Sequence, residues 1–219
     1  MAIWEATIMG IVSDTRFWDR ASSKYAAGAI ADPAGYERTL HRTRSLLQSA
    51  DRVLELGCGT GTTALLLASN VQYYLATDIS AGMITIAKEK HAAGRIPGLV
   101  FKTTTAETLV PETPPFNAVL GFNYLHLVRD LPDTLRRIHD LLAAEGLFIS
   151  KTPCVGDMNP LIRFVLPAMR AIGKAPYAGV FRTAELTQHI SAAGFDILAI
   201  ENHATTNNDR RPYIVARKK

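Results

Sequence analysis

"VLELGCGTGTTALLLAS", residues 53–69, joins a short apolar run to a leucine-rich segment through three closely spaced glycines. A short apolar run ahead of glycines predicts a buried strand, and the leucine-rich segment predicts a helix. Glycines at such a turn let a ligand approach the backbone, and we expect bare N–H groups there at the start of the helix. We therefore place a ligand site at Gly57, Gly59 and Gly61.

Patterns of strand and helix alternate from this stretch to about residue 152. The predicted strands are "RVLELG", "VQYYLATD", "LVFKTTT", "FNAVLGFN" and "LFISKTP". Helices are predicted at "TGTTALLLASN", at "SAGMITIAKEKHAAG" with Ser80 as N-cap, and at "LPDTLRRIHDLLAAEG" ending at Gly146. This rhythm predicts right-handed crossovers and a mostly parallel sheet covered on both faces.

The end of the chain differs from this alternation. After a helix at "TAELTQHISAAG", two strand-like runs, "FDILAIENHA" and "RPYIVARK", follow with a short polar segment between them. That spacing favours an antiparallel hairpin at the end of the sheet. The predicted fold class is therefore α/β, with a doubly wound, seven-stranded, mostly parallel sheet that carries a C-terminal antiparallel hairpin.

Two segments lie outside the alternation: an N-terminal helical cap over residues 1–48 and an insertion over residues 153–182. Both are expected over the carboxyl ends of the strands, where open α/β sheets bind ligands. The segment "NPLIRFVLPAMRAIG" spaces its apolar residues for one helix face, which favours packing in the core. A lid whose apolar side meets a hydrophobic acceptor and whose arginines bind a carboxylate is the alternative.

Composition bounds the class of protein. With 219 residues, 47% hydrophobic and 20% charged, residues 1–219 are expected to form one globular domain. The charge of +4 is scattered, so no nucleic-acid partner is expected. Two cysteines, Cys58 and Cys154, cannot build a disulfide framework or a cysteine-rich zinc site, and no metal is predicted. No leader and no membrane span are recognised, which predicts a cytoplasmic protein, monomeric or homodimeric.

Two acids define the ligand. The loop reads E-x-G-x-G-x-G, and the third small position of the dinucleotide fingerprint falls on Thr62. Glu55 lies two residues before the first glycine. Its carboxylate would repel a pyrophosphate, whereas it would attract a positively charged ligand such as S-adenosylmethionine. Asp78 ends the second predicted strand and is placed to accept the ribose hydroxyls of a nucleoside.

The motifs "VLELGCGTG", "ATDIS" followed by "GMITIAK", and "GFNYLHLVRD" ahead of "LLAAEGLFISKTP" resemble the class I S-adenosylmethionine-dependent methyltransferases over residues 36–152. They are most similar to the small-molecule branch that includes quinone-biosynthesis enzymes. The segment "FWDRASSKYA" is similar to an N-terminal segment of such relatives, whose tyrosine and preceding aromatic residues close over the cofactor.

The resemblance implies a Rossmann-like methyltransferase fold, S-adenosyl-L-methionine as cofactor and S-adenosyl-L-homocysteine as product. The implied cofactor contacts follow the order of the chain. The methionine moiety and sulfonium would lie near Tyr25, Glu55, Gly57, Cys58, Gly59 and Asn123, with the Cys58 thiol serving for packing. The ribose would bind Asp78, and the adenine would lie against Ile79 and Met83 and near Thr105, Ala106 and Glu107, where the family often has an Asp-Ala pair.

Methyl transfer from a sulfonium mainly requires alignment of the reactants and exclusion of water. Where a base is needed, His126 is the best-placed candidate, although a packed histidine at the edge of the fourth strand explains it as well. The predicted function is methyl transfer to a small-molecule acceptor. A protein or RNA methyltransferase, or a nicotinamide-dependent oxidoreductase, is the alternative, and "GFNYLH" lacks the prolines of the [DN]-P-P-[FY] run common in enzymes that methylate amino groups.

Overall fold

The computed structural model describes residues 2–158, 161–206 and 210–219. Within these ranges the chain forms a single sheet whose seven strands are β1 (Arg52–Leu56), β2 (Tyr73–Asp78), β3 (Leu99–Thr103), β4 (Phe116–Phe122), β5 (Leu142–Lys151), β6 (Phe195–Glu201) and β7 (Tyr213–Lys218). Their order is β3-β2-β1-β4-β5-β7-β6. The first five strands run parallel, and β7 runs antiparallel between β5 and β6. The predicted fold class is confirmed.

Helices connect and cover these strands. They are α1 (Ala2–Ala27), α2 (Pro33–Leu46), α3 (Thr62–Leu67), α4 (Ala81–Ala93), α5 (Leu131–Leu141), α6 (Ile162–Ala171) and α7 (Thr183–Ala192). The Ser80 hydroxyl accepts a hydrogen bond from Met83 N at 3.1 Å, which confirms the predicted N-cap of α4.

Apolar residues pack on both faces of the sheet. Neighbouring residues of β1 point to opposite sides, so Leu54 belongs to a core cluster with Leu135 of α5 and Ile190 of α7. Val53 belongs to a second cluster with Ile84 of α4. Two apolar layers therefore hold the sheet rigid and fix the positions of its strand ends.

The end of α5 differs from the prediction. The helix stops at Leu141 instead of continuing to Gly146. The reason is that Leu142 already pairs with Phe116 of β4 and is buried, so the chain enters the sheet there. Glu145 then turns through a positive φ of 61° before the regular part of β5.

The N-terminal helix α1 is tied to the start of α4. Asp19 Oδ1 accepts hydrogen bonds from the Ser80 hydroxyl at 2.6 Å and from Gly82 N at 3.1 Å. A side chain at Gly82 would come within 2.9 Å of the Ser22 hydroxyl, so the two helices approach closely. This contact places α1 beside the carboxyl end of β2.

The segment over residues 153–182 returns to the same edge of the sheet. Gly179 N donates to His126 O at 2.7 Å, and Tyr177 N donates to Asp14 Oδ1 of α1 at 3.2 Å. Asp14 also forms an ion pair of 2.5 Å with Arg129, in the loop after β4. Helix α1, that loop and this segment are thus linked through one carboxylate.

The core-packing interpretation of α6 is wrong. Its apolar face is exposed at Leu161, Val165, Met169 and Ile172, with Leu161 66% accessible. Asn159 and Pro160, the first residues of the quoted segment, lie outside the described residues. Arg170 stacks its guanidinium carbon 5.2 Å from the centre of the Tyr177 ring.

Across the described helices, none combines the length and the apolar character that crossing a bilayer would require.

Candidate functional site

The three glycines of the β1–α3 turn all adopt the left-handed conformation, with φ of 69° at Gly57, 54° at Gly59 and 78° at Gly61. A side chain at Gly61 would lie 2.8 Å from the Phe101 ring, and one at Gly57 would lie 2.9 Å from the Tyr124 ring. At Gly59 the nearest atom would be 3.5 Å away, on the Tyr25 ring. Gly57 and Gly61 are therefore required for two reasons: their positive φ angles favour glycine, and the neighbouring rings leave no room for a side chain.

The N–H groups of this turn are engaged within the protein. Cys58 N donates to Thr77 O at 2.9 Å, Gly61 N donates to Cys58 O at 3.0 Å, and Gly59 N donates to Asp78 Oδ2 at 2.9 Å. The expectation of bare N–H groups is therefore wrong for these three residues. A phosphate would need such donors, so the turn is poorly suited to a pyrophosphate.

Asp78 ends β2 and holds the glycine turn with its side chain. In addition to Gly59 N, its carboxylate accepts a hydrogen bond from Ser80 N at 2.9 Å. Burial raises its pKa, the bonds from Ser80 and Gly59 oppose the rise, and nearby Asp19 adds to it. Each carboxylate oxygen can accept a further hydrogen bond, so a pair of hydroxyls could bind here.

Glu55 is a buried acid at the end of β1, 3% exposed. The Tyr74 hydroxyl donates to its Oε2 at 2.9 Å. Burial raises the pKa of Glu55 to about 7, against the effect of that hydrogen bond, and Asp78 raises it further. A cation bound beside it would favour the charged carboxylate, so this acid is matched to a positively charged ligand.

A cavity of about 380 Å³ opens in front of these strand ends. Five predicted residues line it together: Tyr25, Glu55, Gly57, Cys58 and Asn123. Asn123 has a positive φ of 52°, and its N donates to Lys151 O at 2.7 Å, which sets the ends of β4 and β5 side by side.

Other residues that line the cavity were not predicted from the sequence. They are Tyr36 and Thr39 of α2, Phe122, Lys151 and Arg211. The position of Lys151, near the end of the predicted fifth strand, was the available signal, because the carboxyl ends of parallel strands share one edge. Nothing in the local pattern of α2 indicated that its buried Thr39 faces the same space.

The residues implied for adenine lie outside this cavity. Met83 and Ala106 are buried in the protein, and the Thr105 hydroxyl lies 3.1 Å from that of Thr108. The Glu107 carboxylate accepts a hydrogen bond from the Thr134 hydroxyl of α5 at 2.7 Å. Contacts of these residues and of Ile79 with adenine stay predictions.

His126 lies in the short helix Leu125–Leu127 after β4, beneath the 153–182 segment. Its Nδ1 is buried and has no hydrogen-bond partner in the part of the chain that the structure describes. Burial lowers the pKa of His126 to about 4, so the ring is neutral at pH 7 and binds a proton more weakly than an ordinary histidine. It does not line the cavity, and its role as base stays a prediction.

Cys58 is 8% exposed. Burial, and then the carboxylates of Glu55 and Asp78, raise the pKa of its thiol well above the ordinary value. The thiol is therefore protonated at neutral pH and unsuited to nucleophilic attack. Within residues 2–158, 161–206 and 210–219, no group of three or more His, Cys, Asp or Glu is arranged to hold a metal ion.

Known proteins resemble this chain in sequence. Residues 54–148 match the family described as "Methyltransferase domain". The chain is 29% identical over 181 residues to the highly reducing polyketide synthase pspA of Penicillium soppii, a match that covers 74% of this chain and 7% of the synthase. It is 27% identical over 155 residues to the demethylmenaquinone methyltransferase of Symbiobacterium thermophilum, covering 68% of this chain and 60% of that enzyme.

A solved structure shares the fold. The magnesium protoporphyrin IX methyltransferase of Synechocystis PCC 6803, with bound S-adenosylhomocysteine, superposes with a TM-score of 0.70 at 17% identity, over 98% of this chain and all of that one (100%). This chain therefore shares its fold with a protein that binds S-adenosylhomocysteine.

Proposed function

We propose that the chain is a class I S-adenosylmethionine-dependent methyltransferase and that it transfers the methyl group to a small-molecule acceptor. The observation that carries this proposal is the cavity of about 380 Å³, bounded by α2, the glycine turn and the ends of β4 and β5. The methionine end of the donor would occupy the part of this cavity beside Glu55, Gly57 and Asn123, and the remaining part, beside α2 and Lys151, suits a small acceptor.

The residues of the site fit S-adenosylmethionine. Asp78 would hold the ribose, and Glu55 would hold the amino group of the methionine moiety beside Gly57 and Asn123. When bound, this cofactor would supply a methyl group whose carbon bonds to the acceptor nucleophile in line while its C–S bond breaks, and the sulfur would leave as a neutral thioether. The fit is electrostatic, since a buried acid pairs with a cation and the engaged turn offers few donors to a phosphate.

The chain's own part in the reaction is to orient the two molecules and exclude water. Helix α1, the loop after β4 and the 153–182 segment are joined at Asp14, so they can act as one cover over the strand ends. A closed cover strengthens every electrostatic interaction beneath it. His126 lies beneath the same segment, and it would serve as base for an acceptor whose bound charge offsets the burial that keeps its pKa near 4.

Two relatives act on small molecules by their names, demethylmenaquinone in one and magnesium protoporphyrin IX in the other. These names support a small acceptor here as well. The oxidoreductase alternative loses support, because a pyrophosphate would find the N–H groups of Cys58, Gly59 and Gly61 already bonded.

Methyl transfer can be followed with a donor carrying a radiolabelled methyl group. We expect label to enter low-molecular-weight products when the protein is supplied with a bacterial metabolite extract, and to stay out of added total RNA and protein. The Asp78→Ala variant serves as the control for enzyme-dependent labelling. Label found solely in macromolecules would overturn the small-molecule proposal, while no labelling of any fraction would count against activity.

A further inference from the structure

Lys151 brings a positive charge to the cavity that Glu55 and Asn123 also line. It is the last residue of β5, and its carbonyl accepts the hydrogen bond from Asn123 N. Its ammonium donates to the Thr39 hydroxyl at 3.1 Å, so the side chain extends from the sheet towards α2 across the cavity wall. Arg211, just before β7, lines the same wall.

Thr39 belongs to a polar cluster that holds it in place. Its hydroxyl lies 3.1 Å from His203 Nδ1, and His203 Nε2 lies 2.9 Å from Glu201 Oε2. Arg42 forms an ion pair of 2.9 Å with the same carboxylate. The partner of the Lys151 ammonium is therefore anchored, which fixes where that charge sits.

Four charged side chains line the cavity among the described residues: Asp32, Glu55, Lys151 and Arg211. Asp32 is committed to structure, because its carboxylate accepts hydrogen bonds from Gly35 N, Thr205 N and the Thr205 hydroxyl. Glu55 adjoins the glycine turn on the donor side. Lys151 and Arg211 also have partners within the protein, and they are the two positively charged residues among the described residues that line the cavity.

From this placement we infer that the acceptor presents an anionic oxygen, such as a carboxylate or an enolate, to Lys151, with Arg211 adding to the field. This inference rests on the proposed function and names the chemical class of its acceptor. A lysine ammonium forms strong, charge-assisted hydrogen bonds with such an oxygen. The same charges would repel a cationic acceptor, so the wall also selects against protonated amines.

Matched pairs of probes test this inference. The protein loaded with S-adenosylhomocysteine is titrated with 2-naphthoate and with 2-naphthamide, which share a ring system and differ in charge, and binding is followed by ligand-observed NMR. We expect the carboxylate to bind about tenfold more tightly than the amide, in keeping with the strength of charge-assisted hydrogen bonds. No preference for the carboxylate would overturn the inference.

Substitutions of Lys151 test whether its charge, and not a change in the fold, causes the preference for the carboxylate probe. Lys151→Met and Lys151→Gln are expected to abolish the preference and leave amide binding unchanged, whereas Lys151→Arg retains most of it. Lys102→Met, at an exposed lysine of β3, is the matched control and should behave like the unaltered protein. A preference that survives both neutral substitutions would contradict the assignment of Lys151.

The same titrations distinguish this inference from the proposed function. Binding of S-adenosylhomocysteine is measured first for every variant, and Lys151→Met is expected to leave it within about twofold, because the side chain faces the acceptor side. Failure of the unaltered protein to bind this ligand would contradict the proposed function. Binding of this ligand without a preference for the carboxylate probe would contradict only the inference of an anionic acceptor.

Discussion

Replacement of Asp78 by alanine is expected to weaken binding of S-adenosylhomocysteine by about a hundredfold, measured by isothermal titration calorimetry. Two charge-assisted hydrogen bonds to hydroxyls, each worth roughly 1.5–3 kcal/mol, amount to at least about 3 kcal/mol, or roughly 150-fold, so a hundredfold loss is the low end of the expected effect. The substitution also removes the bond from Gly59 N at 2.9 Å, so the turn loses its anchor at the same time.

Two variants keep this prediction specific. Asp78→Asn retains the shape and can still accept one hydrogen bond, so its loss should be intermediate. Asp196→Ala removes an exposed carboxylate from the edge strand β6 and should leave the affinity unchanged. An Asp78→Ala protein that remains folded by circular dichroism and binds as tightly as the unaltered protein would contradict the placement of the ribose.

The affinity for S-adenosylhomocysteine is expected to rise with pH by about thirtyfold between pH 5.5 and pH 8. The value follows if the pKa of Glu55 falls from about 7 in the free protein to its ordinary 4.5 in the complex. The ligand's cationic amino group would cause that fall, so binding below pH 7 releases a proton. Calorimetry in buffers of different ionisation enthalpy measures that proton directly.

The same burial has an opposite consequence for the free protein. An acid whose pKa is raised by folding holds its proton more tightly in the folded state than in the unfolded state. Its unfavourable ionisation therefore lowers the free energy of unfolding as pH rises from about 4.5 to about 7. Ligand binding and stability should thus respond to pH in opposite directions across this window.

Glu55→Gln should flatten the pH dependence of binding and reduce the affinity at pH 8. Asp78, whose pKa is also raised, leaves a smaller dependence of the same sign. Glu89→Gln, at an exposed position of α4, is the control and should keep the full dependence. An unaltered pH profile in Glu55→Gln would mean that another group binds the amino end of the ligand.

The order of strands and helices could be predicted because it depends on local patterns. Apolar periodicity identified each strand, and Ser80 marked the start of α4 because an N-cap acts on residues three positions away. The glycine turn and the acid one strand over are likewise encoded within about 25 residues of sequence. These features are what the family resemblance depends on, and the fold bears them out.

What could not be predicted depends on contacts between distant parts of the chain. The end of α5 is set by the pairing of Leu142 with Phe116 of β4. The exposure of Leu161, Val165, Met169 and Ile172 along α6 likewise could not be read from the spacing of its apolar residues. Lys151 meets Thr39 across 112 positions of sequence. No local sequence pattern indicates such a pairing, so the contact between Lys151 and Thr39 could be found only in the structure.

The most direct test is a crystal structure of the protein with S-adenosylhomocysteine. We expect both ribose hydroxyls within hydrogen-bonding distance of the Asp78 carboxylate and the amino group beside Glu55, with open space between the sulfur and Lys151. A ligand bound elsewhere, or NAD bound with its pyrophosphate on the glycine turn, would contradict the central claim.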